Sequence, residues 1–174
     1  MPAFAIGFAI LAMFWNEHVA WRRLGGNDRG LAVLLSLLLV FLVLVFVLAL
    51  RPMAQSLAAF LLAGESAGLD AGGIAEVFRV YGAGFASMCT VTMALHLQGV
   101  RFTDQPRHLR GRAISYGILA TAGAVSLSLT LLPGAALFAP WVYAALPLVM
   151  GLFAFLYRWE EEAPPESGAT EPGA

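Results

Sequence analysis

Charge of either sign is scarce in this sequence, and lysine is absent. Only 12% of the 174 residues are charged, whereas soluble domains average about 25%. The hydrophobic share is 60%, more than a soluble fold of this length can bury. The single cysteine, Cys89, excludes an intrachain disulfide and a paired-cysteine redox motif. The scarcity of charge therefore indicates a membrane protein.

The apolar residues fall into five segments, each of membrane-spanning length. The second segment, Leu31–Leu50, has 20 residues and no charge, which corresponds to about 30 Å of helix, the thickness of the hydrocarbon core. Because only helices satisfy their own backbone hydrogen bonds in lipid, each segment is predicted to be one helix. The predicted fold is all-α, a polytopic integral membrane protein with five transmembrane helices, at about 2–21, 31–50, 80–100, 113–132 and 137–157.

Two stretches fall outside these predicted spans. Met53–Gly64 is too short to cross the membrane and is either a continuation of the second helix past a kink at Pro52 or an interfacial turn. The last 15 residues are acidic, contain several prolines and have no apolar anchor. The chain is therefore divided into a transmembrane domain, residues 1–159, and a disordered tail, residues 160–174.

The arginines are unevenly distributed among the connections. The first and third connections carry three and four arginines, the second carries two among three acidic residues, and the fourth has none. The positive-inside rule then places the first connection, the third connection and the C-terminus in the cytoplasm, and the N-terminus outside. A start outside the membrane without a cleavable signal is expected when a preceding helix is missing, so the five spans are interpreted as a six-helix unit without its first helix.

The first span stops being apolar at "MFWNEHVAWRR", where Asn16, Glu17 and His18 follow one another. His18 has two interpretations: an imidazole at the C-terminal end of a helix, favoured by the dipole and the interface, or a hydrogen bond between helices. Glu17 is expected to pair with Arg22 or to face water. These residues make the end of the first span the most informative polar stretch of the chain.

No cofactor, metal site or catalytic group is predicted. His96 is expected at a depth similar to that of His18, and two such histidines can ligate a haem, but no spacing fixes their rotation. Three histidines without a paired intramembrane carboxylate argue against a metal site or a proton pump. No base lies beside any serine of the spans, so an enzyme is not expected. The basic loop "RFTDQPRHLRGR" is interpreted as contacting anionic lipid headgroups, not nucleic acid.

Small residues recur at helical spacing in two of the spans. Gly82 and Ala86 are four residues apart in the third, and Ala113, Gly117 and Thr121 follow the same spacing in the fourth. Such stripes allow helices to approach closely in lipid. Gly117 has a second interpretation, as a flexible hinge.

Several motifs in order resemble the transmembrane protein 175 family, which comprises endosomal and lysosomal potassium channels and their bacterial relatives. The first is the run Phe14, Trp15, Asn16 and His18. A basic loop containing an aspartate follows, then a leucine-rich helix that closes in Pro52, then "LLAGE", then Tyr81 and Gly82. Over roughly residues 2–100 these features look like helices two to four of the family's six-helix unit. The resemblance marks as family-motif or helix-packing residues Trp15, Asn16, His18, Ser36, Pro52, Tyr81 and Gly82.

The resemblance implies a bacterial potassium-permeable channel subunit that forms homo-oligomers in the inner membrane. The family's pore is lined by a first helix with a Phe-Ser-Asp motif, and this motif is absent here. The polar asparagine of the family's third helix is also absent, since the corresponding region offers only Leu35 and Ser36. If the chain conducts, another element must line the pore. The alternative is a non-conducting membrane accessory protein; a small transporter is disfavoured because no broken helix is apparent.

Overall fold

Five α-helices make up most of the computed structural model, which describes residues 2–26, 30–63 and 71–161. Two single 3-10 turns lie in the connections, at Val100–Phe102 and Ala136–Phe138, and the described residues include no strand. The all-α prediction is therefore confirmed. The helices are α1 Pro2–Gly25, α2 Gly30–Ala63, α3 Ala71–Gly99, α4 Pro106–Leu131 and α5 Ala139–Glu161.

Four of these helices, α2 to α5, contain a stretch long and apolar enough to cross a membrane. The stretches are Gly30–Val47, Ala75–Phe102, Pro106–Leu131 and Ala136–Tyr157. Helix α1 has sufficient length, 24 residues, but its C-terminal half carries the polar run that follows Trp15 and two arginines, which lower its hydropathy. The crossing of α1 and the orientation of the bundle stay predictions.

The observed helix ends decide between the two interpretations of the short apolar stretch after Pro52, and several of them differ from the predicted limits of the spans. Helix α2 continues without interruption to Ala63, so Pro52 lies inside a 34-residue helix and the short apolar stretch extends that helix. Helix α4 begins at Pro106, where the missing amide hydrogen costs no helical hydrogen bond. Helix α5 ends at Glu161, slightly beyond the predicted limit of the transmembrane domain. Residues 162–174 of the predicted tail lie outside the described residues.

Two hydrogen bonds bring three segments to one end of the bundle. The Thr103 hydroxyl donates to the carbonyl oxygen of Leu24 at 2.5 Å, and the Tyr157 hydroxyl donates to the carbonyl oxygen of Arg107 at 2.6 Å. The end of α1 therefore lies against the α3–α4 connection, and the end of α5 lies against the first turn of α4 that follows this connection. This is the grouping that the arginine distribution predicts for one side of the membrane.

Helices α3 and α4 approach each other at small residues. A Cβ atom added to Gly123 would lie 2.9 Å from both the Cβ and the backbone nitrogen of Ala86. A Cβ atom added to Gly82 would lie 3.0 Å from the carbonyl oxygen of Gly123. Gly82 and Ala86 thus lie at a close approach of α3 to α4. Gly123, which the sequence analysis did not single out, supplies the close approach on α4, whereas only the Met93 sulfur lies near Gly117.

Helix α2 contacts the rest of the bundle along one stripe, where Leu39, Val43 and Phe46 are buried. Its remaining surface is apolar and exposed, with Leu37 63% and Phe41 60% exposed. In a bilayer such side chains contact lipid or another helix. Helix α2 therefore leaves most of its described surface uncovered by its own chain.

Candidate functional site

The most connected polar group among the described residues is the carboxylate of Glu17. Its Oε1 accepts a hydrogen bond from Arg112 Nη1 at 2.6 Å and another from His96 Nε2 at 3.0 Å. Glu17 lies on α1, His96 on α3 and Arg112 on α4. We call these three residues the carboxylate cluster. It joins three helices through one oxygen atom.

The cluster is largely removed from solvent. The side chain of His96 is fully buried, that of Glu17 is 13% exposed and that of Arg112 is 34% exposed. The His96 ring also lies 5.7 Å from the ring of Tyr116. Because buried charges are costly when unpaired, the arginine and the imidazole N–H offset the cost of placing a carboxylate at this depth.

Helical spacing explains why Glu17 points into the bundle. Phe14 precedes it by three residues and Trp21 follows it by four, so all three side chains share one face of α1. Phe14 and Trp21 are each 1% exposed. Trp21 packs against the backbone of α3 at Gly99, where an added Cβ would lie 2.8 Å from the indole nitrogen. Two large aromatic anchors therefore fix the rotation of α1 and aim Glu17 at α3 and α4.

The expectation that Glu17 faces water is wrong, and its partner is Arg112, which was not predicted from the sequence. The two residues are 95 positions apart, so no local spacing links them. One signal was available: a carboxylate that shares the helix face of Phe14 and Trp21 is directed towards the protein interior. His96 was weighed as a haem ligand, whereas in the structure its Nε2 donates to Glu17.

His18 is half-buried beside two indoles, with its ring 5.5 Å from Trp21 and 6.3 Å from Trp15. Its Nδ1 is buried and has no hydrogen-bond partner among the described residues. The hydrogen bond between helices that was considered for His18 is instead made by its neighbour Glu17. His18 keeps an unused hydrogen-bonding atom.

A groove between α1 and α2 brings together three of the residues that the resemblance marked. Trp15, His18 and Ser36 line it, together with six apolar residues: Leu11, Phe14, Leu39, Val40, Val43 and Leu44. The groove encloses about 260 Å³. Leu11, Trp15 and His18 recur at intervals of four and three residues, so they form a second face of α1, distinct from the face of Glu17. We call this feature the α1–α2 groove.

The other marked residues lie elsewhere. Tyr81 stacks on Phe85 with ring centroids 5.8 Å apart and meets the ring of Tyr143 edge-on at 4.9 Å. Gly82 belongs to the α3–α4 contact described above. Asn16 is exposed and does not line the α1–α2 groove, and the side chain of Pro52 lies outside the described side chains. The marked set therefore occupies several places in the bundle, not one.

The described residues include no group of three histidine, cysteine, aspartate or glutamate side chains that could hold a metal ion. The carboxylate cluster is a hydrogen-bonded link between helices, and it contains no nucleophile beside a base. What this arrangement can do is fix the position and rotation of α1. The α1–α2 groove, in contrast, is lined by an imidazole whose Nδ1 has no hydrogen-bond partner among the described residues and by the exposed indole of Trp15.

The described helices have the fold of a helical membrane channel. Among solved structures the chain is similar to a variant of the potassium channel MtTMEM175, determined in complex with a Nanobody-MBP fusion protein. The TM-score is 0.76, and the match covers 88% of this chain and 75% of that chain at 18% sequence identity. The resemblance drawn from the first three helices is thus confirmed at the level of the fold. That neighbour is an ion channel, not an enzyme.

Two further comparisons gave no match. No protein-family profile matches the chain, and no curated protein is similar to it. A functional proposal therefore rests on the structural similarity and on the described residues. Together with the apolar helices, this similarity supports a multi-pass membrane protein.

Proposed function

We propose that this chain is a subunit of a potassium-permeable channel of the transmembrane protein 175 type, and not an enzyme. The observation that carries the proposal is the fold likeness to MtTMEM175 over 88% of the chain. The proposal includes a bacterial inner-membrane location and a homo-oligomer, both taken from the resemblance. Within it, the carboxylate cluster is a positioning device for α1, and the α1–α2 groove is a seat for a further helix.

The helix surfaces support the view that the pore lining is an element other than α2. Gly30–Val47 carries no charge, and its exposed side chains are apolar, such as Leu34, Leu37 and Leu44. A wall of this kind offers a permeating cation no ligands and no attractive charge. Helix α2 is suited to contact lipid or another helix.

The α1–α2 groove also supports a pore lining supplied by an element other than α2. It is lined by His18, whose buried Nδ1 has no hydrogen-bond partner among the described residues, by Ser36 and by the exposed ring of Trp15. In an apolar setting a hydrogen bond between helices is the usual way to satisfy such an atom. We infer that a helix lying in this groove supplies the partner, and that this helix is the pore-lining element that the resemblance implies.

Potassium flux in liposomes tests the proposal. Two proteins are reconstituted: the chain alone, and the chain with a membrane helix that carries a Phe-Ser-Asp motif fused to its N-terminus. We expect the fused protein to release potassium from loaded liposomes and the chain alone to release little. Flux from the chain alone would support the channel function but would contradict the inference that an additional helix lines the pore. Absence of flux from both proteins, in folded and membrane-inserted form, contradicts the proposal.

A non-conducting accessory protein is the second candidate. The extended apolar surface of α2 favours it, since Leu34, Leu37, Phe41 and Leu44 are all about 60% exposed and form a surface suited to helix association. The same flux assay separates the two candidates. An accessory protein gives no potassium flux in either version, and it co-purifies with a partner chain in mild detergent.

A further inference from the structure

We propose that the groove between α3 and α4 binds one anionic phospholipid, with an acyl chain in the groove and the headgroup phosphate at Arg110 and Arg101. This α3–α4 groove is separate from the α1–α2 groove and encloses about 590 Å³, within the usual range for ligand pockets of about 300–1,000 Å³. Its lining comprises Met93, Leu97, Ala113, Ile114, Gly117, Ile118, Ala120 and Thr121.

The chemistry of the lining points to a hydrocarbon chain. Seven of the eight lining residues are apolar or glycine, and the exception is Thr121. The hydroxyl of Thr121 already donates to the carbonyl oxygen of Gly117 at 2.9 Å. The one side-chain hydroxyl of the lining therefore already has an acceptor within α4. A saturated or unsaturated acyl chain satisfies such a surface by contact alone.

The shape of the groove follows from the absence of a side chain at one position. A Cβ atom on Gly117 would have only the Met93 sulfur nearby, at 3.3 Å. The α3–α4 contact is therefore less closely packed at Gly117 than at Gly123. The lining residues Ala113 to Thr121 extend for about 12 Å along α4 at the helical rise. The groove is thus a short lengthwise channel on the bundle surface, the form that an acyl chain fits.

Positive charge lies at one end of this channel. Arg110, Ile114, Gly117 and Thr121 recur at intervals of four and three residues, so Arg110 lies on the face of α4 that lines the groove. On the other side, Arg101 follows the lining residue Leu97 by four positions, in the 3-10 turn after α3.

Neither arginine is neutralised within the described part of the chain. Arg101 and Arg110 are exposed, and no described carboxylate forms an ion pair with either of them. Asp104 is the one acidic residue in the connection that joins α3 to α4. Arg112, in contrast, is held by Glu17. Two arginines therefore follow the lining by one turn in sequence, Arg110 before Ile114 and Arg101 after Leu97, and neither has an ion-pair partner among the described residues.

Charge complementarity selects an anionic phospholipid among the possible occupants. The positive-inside rule places this end of the bundle at the cytoplasmic leaflet, whose anionic lipids attract basic side chains. A phosphate diester bonded to the guanidinium groups of Arg110 and Arg101 has its glycerol and acyl chains directed along the groove towards Thr121. A second copy of this chain is the competing occupant, and the experiment distinguishes the two.

The experiment measures lipid retention by native mass spectrometry. The purified full-length chain is equilibrated in detergent with equal amounts of phosphatidylglycerol and phosphatidylcholine. We expect one phosphatidylglycerol to be retained in clear preference to phosphatidylcholine. Excess inorganic phosphate is expected not to displace it, because a free phosphate gains nothing from the groove. Equal retention of the two lipids, or displacement by phosphate, overturns the proposal.

Two pairs of variants locate the binding site. Arg110→Gln is compared with Arg23→Gln, an exposed arginine on α1, a helix that contributes no residue to the groove lining, and we expect about fivefold weaker phosphatidylglycerol binding for Arg110→Gln alone. Gly117→Leu fills the groove and is compared with Gly151→Leu, whose Cβ would meet no atom within 4 Å. We expect Gly117→Leu, and not Gly151→Leu, to abolish selective retention.

Each other outcome contradicts the proposal. If Arg110→Gln and Arg23→Gln behave alike, or if both leucine variants retain phosphatidylglycerol, the lipid does not lie in this groove. If Gly117→Leu instead dissociates an oligomer while lipid retention is unchanged, a second copy occupies the groove. Should Gly117→Leu fail to fold, the Arg110 pair still decides, since Arg110 is exposed and outside the packed core.

Discussion

Helices α2 and α4 are both apolar membrane helices, but they are held in the bundle by different means. Helix α4 meets α3 backbone to backbone at Gly123 and bonds to α1 through Arg112. Helix α2 contributes a stripe of buried side chains and leaves Leu37 and Phe41 exposed. Helices α1, α3 and α4, which we call the frame, are thus joined by a polar cluster and a backbone approach, whereas α2 is held by side-chain packing and leaves an exposed face for lipid or another helix.

Removing the carboxylate of the cluster is expected to have the largest effect on the frame. Glu17→Leu leaves Arg112 and the His96 N–H without their common acceptor. Breaking a buried ion pair costs about 3–5 kcal/mol, and since Arg112 is 34% exposed we expect a loss of about 2–3 kcal/mol in the free energy of unfolding. Unfolding in mixed detergent micelles, followed by circular dichroism, measures it.

Glu76→Gln is the matched control for that change, because Glu76 is an exposed acidic residue on α3. Its effect is expected to stay within about 0.5 kcal/mol. Equal effects of Glu17→Leu and Glu76→Gln would show that the carboxylate cluster does not hold the frame together.

Gly123→Leu tests the close approach of α3 and α4. Because the atoms that an added Cβ would meet include the backbone nitrogen of Ala86, the two helices must separate, at an expected cost of about 1–3 kcal/mol. The melting temperature in detergent measures the loss. Gly151→Leu is the control, and a comparable decrease for both variants would contradict the assigned contact.

Smaller effects are expected at the connections that join the frame at one end. Thr103→Val removes the hydrogen bond to the Leu24 carbonyl, and Tyr157→Phe removes the one to the Arg107 carbonyl. Each change is expected to cost about 0.5–1.5 kcal/mol. Hydrogen exchange of the terminal turns of α1 and α5 is expected to accelerate with little change elsewhere; unchanged exchange in both variants would argue against this shared end.

The smallest effect is expected on the exposed face of α2. Leu37→Ala alters a side chain that is 63% exposed, so the stability of the chain in detergent is expected to change by less than about 0.5 kcal/mol. Phe46→Ala, at a position 3% exposed on the same helix, serves as the comparison and is expected to be clearly destabilising. A large loss for Leu37→Ala would contradict the assignment of Leu37 to an exposed face of α2.

The helices and their grouping at one end were predictable from the sequence, because hydropathy and arginine distribution respond directly to the bilayer. Trp15, His18 and Ser36, which the resemblance marked, line one groove, whereas the motifs specify only their order along the chain. The continuation of α2 past Pro52 was left open, since a proline after an apolar run is compatible with either a kink or a helix end.

The carboxylate cluster and the role of Gly123 were not predictable in the same way. Glu17 and Arg112 meet only after α1 and α4 are packed, and no periodicity relates residues 95 positions apart. Several small residues on α4 have the spacing for close contact, so the choice of Gly123 over Gly117 depends on the rotation of α4 against α3. Tertiary packing, and not local pattern, decides both features.

The central claim is that one carboxylate ties α1 to α3 and α4 and thereby fixes the face of α1 that forms the α1–α2 groove. A double-mutant cycle of Glu17→Gln and Arg112→Gln, read by unfolding in detergent, tests it most directly. The structure predicts a coupling free energy of at least about 1 kcal/mol between the two positions, as for other residues in direct contact. Additive effects, with a coupling below about 0.3 kcal/mol, would contradict it.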